Sequence, residues 1–85
     1  MKTELERRVA KYITSVGRVL DVIEKAPKGT SGPADAIIET VKRYFSDAKY
    51  YKSQNDLVSS LATVAYCEGL LDALRMQGLA EFEWE

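Results

Sequence analysis

The 85-residue sequence contains no histidine and a single cysteine, Cys67. Without histidine, serine and cysteine nucleophiles lose their usual general base, and most zinc sites lose a ligand type. One cysteine forms neither an internal disulfide nor a thiolate cluster, so a reducing, cytoplasmic location is expected. No unbroken run of eighteen apolar residues is present, so no membrane partner is expected. The opening MKTELERR mixes charges of both signs, with no apolar stretch behind it, unlike a secretory signal. "PKGTSGP" holds glycines but lacks the spacing of a phosphate loop and has no strand before it. These absences leave no catalytic residue, no cofactor and no metal to assign.

What is present is ordinary for a folded domain: 46% hydrophobic and 29% charged residues, too apolar for a disordered chain. A chain this short buries roughly 60–65% of its unfolded surface, so the core is small. Residues 1–28 carry seven Lys/Arg against four acids, and residues 55–85 carry Arg75 alone against six. This head-to-tail asymmetry suits antiparallel or subunit pairing. It does not suit nucleic acid, which needs a concentrated basic face. Arg7, Arg8 and Lys11 come nearest to one and read as a solvated helix face.

Periodicity predicts an all-α, three-helix up-down-up bundle over residues 1–78, followed by a tail over 79–85. In the first helix, about 3–25, Leu5, Val9, Tyr12, Ile13, Val16, Leu20 and Ile23 recur three and four apart. Pro27 ends it, because a proline pushes its predecessor out of the helical region. Lys28 to Gly32 is turn chemistry. The second helix, about 33–53, begins at Pro33 with Ser31 or Gly32 as its cap. Its stripe is Ala34, Ile37, Ile38, Val41, Tyr44, Phe45, Ala48 and Tyr51, and Tyr50 projects away from it. Asp56 caps the third helix, about 57–77, and Gly78 closes it.

The third helix is the least ordinary. Placed on a wheel about Ala65, its residues Leu57, Val58, Leu61, Ala62, Val64, Gly69, Leu71, Ala73 and Met76 form an apparent buried sector. Glu68 and Asp72 fall inside that sector, four apart. A buried carboxylate is costly unless paired or hydrogen-bonded. Two readings follow: a structural polar network satisfied by Tyr and Arg, or a carboxylate site for a divalent cation or polar ligand. The second reading joins Asp47, Glu68 and Asp72 with Tyr44 and Tyr66. Gly69 reads as a point of close helix approach inside the bundle. Cys67 projects outward as a plain small residue. Leu70 and Leu74, with Tyr66 beside them, form a second apolar strip that needs a cover. Either the tail folds back, through Phe82 or Trp84, or another chain lies there.

Two stretches carry a resemblance: "YFSDAKYYKSQND" (Tyr44 to Asp56) and "LATVAYCEGLLDAL" (Leu61 to Leu74). Together they resemble the archaeal domain-of-unknown-function family numbered 357, whose members look like small three-helix bundles. The resemblance implies no known activity. It implies that Asp47, Tyr66, Gly69 and Asp72 matter as a set. Glu68 stands where members often carry histidine, Leu70 where an aromatic often follows the glycine, and Asn55 replaces a turn glycine. Some relatives are fused to nucleotidyltransferase-like domains, which implies an accessory role in nucleotide-linked metabolism. The expected function is therefore a non-catalytic protein-interaction or self-association domain, a homodimer through Leu70, Leu74, Phe82 and Trp84. The alternative is a small ligand- or cation-binding accessory domain.

Overall fold

A computed structural model of the chain describes residues 2–26 and 32–84. Three helices follow in order, α1 (Glu4–Lys25), α2 (Pro33–Ser53) and α3 (Leu57–Met76), all packed on one another. Of the expected turn over residues 28–32, residues 28–31, with the Ser31 cap, lie outside the described residues.

Local chemistry sets the helix ends. Thr3 and Glu6 form a reciprocal capping box: each side chain accepts from the other residue's backbone N–H. Ala26, which precedes Pro27, is extended and ends α1. Gly32 precedes α2 without a side-chain cap, and Pro33 supplies the pre-set first turn. Both later helices close with the same device. Asp56 N–H donates to the Tyr51 carbonyl and Asn55 N–H to that of Lys52. Leu79 N–H donates to the Leu74 carbonyl and Gly78 N–H to that of Arg75. These are Schellman bonds, and each needs a left-handed residue. Asn55 (φ 58°) and Gly78 (φ 72°) supply it. Asp56 then caps α3 by accepting from Ser59 N–H. Asn55→Gly relieves the left-handed strain in the α2–α3 turn. We expect it to raise stability by up to about 1 kcal/mol, measured by chemical denaturation.

The core forms along one seam per helix. Val9, Val16, Val19 and Leu20 are buried on α1, and Val41 and Ala48 on α2. The apolar stripes read from the sequence for both helices are all buried or half-buried. Gly17 lets α1 and α2 close up: a Cβ there would lie 3.2 Å from the Phe45 ring.

On α3 the buried seam is Ser60, Val64, Cys67, Leu71 and Leu74. This corrects the expected face. Ala62, Ala65, Gly69, Ala73, Val58 and Met76 point to solvent, while Leu74 is 1% exposed and Leu70 packs against the core cluster. The physical reason is size. Burying a leucine removes far more apolar surface from water than burying an alanine. A helix apolar on every side therefore turns its large residues inward and its small ones out. Two polar seam residues are satisfied on α2. The Ser60 hydroxyl donates to the Ala48 carbonyl at 2.7 Å, and the Cys67 thiol to the Val41 carbonyl at 3.6 Å. Cys67 is thus an interior residue, not an outward one, and burial pushes its thiol up to about 11.

Candidate functional site

Three expected features can now be placed. The first is the acidic set. Asp72 is half-buried on the shoulder of α3, and its Oδ1 accepts from the Trp84 indole N–H at 3.0 Å. Arg75 donates to the same oxygen at 3.2 Å through Nε, and its Nη2 is equally near. Glu68 is half-buried, and Asp47 is exposed on α2. Among the described residues, no group of three or more His, Cys, Asp or Glu is placed to hold a metal ion. Asp47, Glu68 and Asp72 therefore form no such metal-holding group. Tyr44 and Tyr66 do meet, ring edge to face at 5.2 Å, with Arg43 over the Tyr44 ring.

The second is the tail, which folds back. Phe82 is buried within the core cluster, and Ala80 and Trp84 pack against it. The Arg18 guanidinium donates to the Glu83 carbonyl at 2.6 Å, and the Phe82 and Trp84 rings meet edge-on. The alternation Leu79-Ala80-Glu81-Phe82-Glu83-Trp84 explains the strap: Ala80, Phe82 and Trp84 face in while Glu81 and Glu83 face out.

The indole bond, and secondarily Arg75, hold the Asp72 carboxyl below its ordinary value of 3.8. A lowered folded-state pKa means stability that is present above the unfolded value and lost as pH falls through the folded one. The wild-type melting temperature therefore drops more steeply below about pH 4 than that of Asp72→Asn, which keeps an acceptor but no titrating group. Equal slopes for the two proteins would remove this latch as the cause.

The third is the outer face of α3. Tyr66 lies there, as expected, but Leu70 and Leu74 do not. Their places are taken by Val58 (71% exposed), Met76 (75%) and the small residues Ala62, Ala65, Gly69 and Ala73. Leu79, past the helix end, is 52% exposed. Gly69 also departs from expectation. A Cβ added to it would have open space, so no helix of this chain approaches it. By length and composition α3 is apolar enough to cross a membrane. The absence of an unbroken apolar run understated it, because its three charges are spread along one shoulder.

A wide hollow lined by Glu4, Arg7, Arg8, Lys11 and Tyr12 lies on α1. Both arginines there are already bridged to Glu4. The geometry as a whole defines a small three-helix bundle closed by a folded-back tail. A family described as "Protein of unknown function (DUF357)" matches over residues 11–80, and the chain belongs to that family. No curated protein and no solved structure matches it.

Proposed function

We propose that the chain is a non-catalytic protein-interaction module that docks a partner on the outer face of α3. One observation carries this reading: α3 leaves an apolar face in solvent with a mid-helix glycine at its centre. Glycine costs a helix about 1 kcal/mol relative to alanine, and among the described residues nothing uses the space Gly69 leaves. Gly17, by contrast, has an internal reason in Phe45. A close approach from outside gives Gly69 a purpose, and contiguous exposed apolar surface of this kind marks interaction sites.

Hydroxyl-radical footprinting in a membrane-free extract of the cells that make the protein tests the reading. Tyr66 and Met76 should be protected relative to the free chain, and the exposed Tyr50 should not. An Ala65→Glu chain should lose that protection. Labelling of Tyr66 and Met76 in extract equal to that of the purified chain diluted until it is monomeric would end the proposal.

A further inference from the structure

We infer that the partner on this face is a second copy of the chain, with the two α3 helices antiparallel and crossing between Ala65 and Gly69. The inference rests on the docking reading above and names its occupant.

The first argument is shape. An interface between identical copies related by a two-fold axis must be complementary to itself. The outer face reads bulky, small, small, small, small, bulky: Val58, Ala62, Ala65, Gly69, Ala73, Met76. Reversed, it reads the same. An antiparallel pairing sets Ala65 against Gly69 of the other copy and Ala62 against Ala73. Val58 then meets Met76. The four small positions let the helix backbones approach closely in the middle, and the two bulky ends close over the gap.

The second argument is charge. α1 and α3 run the same way and α2 opposes them, so residues 2–11 and 47–56 share one end of the bundle. They carry six Lys/Arg against four acids. The opposite end, residues 18–25, 33–43 and 68–84, carries five against eight. Antiparallel pairing places the basic end of each copy over the acidic end of the other, and parallel pairing stacks like on like. The overall charge of −1 adds little net repulsion between copies.

The third argument is area, which sets the strength. α3 has 20 residues, so its face is about 30 Å long and about 10–12 Å wide. At roughly 300–360 Å² per copy the contact lies below the range of stable interfaces, in the weak and transient class, so the complex is reversible.

Sedimentation velocity on the purified full chain, from about 10 µM to about 1 mM, is the first measurement. The expected result is a reversible monomer–dimer equilibrium, weakened by added salt. Ala65→Glu, at an exposed position, should weaken it at least tenfold without lowering the melting temperature. Gly69→Ala should weaken it too, while raising the melting temperature of the monomer. Orientation is read by oxidative cross-linking of single-cysteine additions, Cys67 being buried. Val58→Cys chains mixed with Met76→Cys chains should give the mixed dimer. Val58→Cys alone should give little.

A wild type that stays monomeric overturns the inference. So does association that Ala65→Glu leaves intact, or efficient cross-linking of Val58→Cys to itself. Flotation of a monomeric wild type with phosphatidylcholine–phosphatidylglycerol vesicles, lost in Ala65→Glu, would assign the face to lipid and also overturn it. The docking reading fails separately. Footprint protection in extract by a monomeric chain sinks the second copy and leaves the module standing.

Discussion

Leu74→Ala destabilises the chain by about 2–5 kcal/mol, while Met76→Ala two residues away changes stability by less than about 0.5 kcal/mol. The two residues have similar hydrophobic mass and sit in the same turn. They differ in direction: Leu74 is fully enclosed and Met76 is three-quarters exposed. Removing Leu74 forfeits its transfer free energy and leaves a cavity in a rigid, close-packed seam. Removing Met76 only trims surface. A domain of 85 residues has a total stability of roughly 4–13 kcal/mol, so the first substitution removes a large share and the second almost none. Urea denaturation of both variants at one low protein concentration reads the difference and keeps association out of the comparison. Similar losses for the two would place the α3 seam on the wrong side.

Phe82→Ala costs about 3–4 kcal/mol, as much as a core residue in any of the helices. The tail has no regular structure of its own, and such segments are commonly dispensable. This one is not, because Phe82 completes the core cluster that includes Val64 and Leu71, with Leu70 packed against it. Truncation after Gly78 should cost at least as much, because it also removes the Trp84–Asp72 and Glu83–Arg18 bonds. A truncated chain that melts with the wild type would reduce the strap to decoration. A loss confined to Trp84→Phe would assign its strength to the indole bond instead.

The sequence showed two helices fully and the third only in outline. On α1 and α2, charged residues mark the solvent side so densely that the apolar stripes could point only one way. On α3, Glu68, Asp72 and Arg75 are the only charged residues. With apolar residues all round, the wheel has no strong direction. Counting alanine and glycine as equal to leucine then put its centre almost opposite the true core. Side-chain volume held the missing signal: Val64, Leu70, Leu71 and Leu74 cluster on one side, and Ala62, Ala65, Gly69 and Ala73 on the other. Caps were easier, since Asp56 and Gly78 act within their own turns. The Tyr44–Tyr66 contact joins two helices that the pattern had already paired. The Ser60–Ala48 and Cys67–Val41 bonds set the register of the α2–α3 hairpin, which places Asp47 level with the first half of α3 and Asp72 in its second half. The latch from Arg18 to Glu83 spans 65 residues, and no local pattern encodes it.

Trp84 has a practical consequence. It is the chain's sole tryptophan, and it sits on the strap, not on a helix. Its fluorescence therefore reports the strap and its seat on the bundle, while circular dichroism reports α1, α2 and α3. If the strap lifts before the bundle melts, the two signals separate along a denaturant series. If the strap is part of the folding unit, they superimpose. The molecule thus carries a built-in gauge, needing no label, of whether residues 79–84 fold with the rest or merely lean on it.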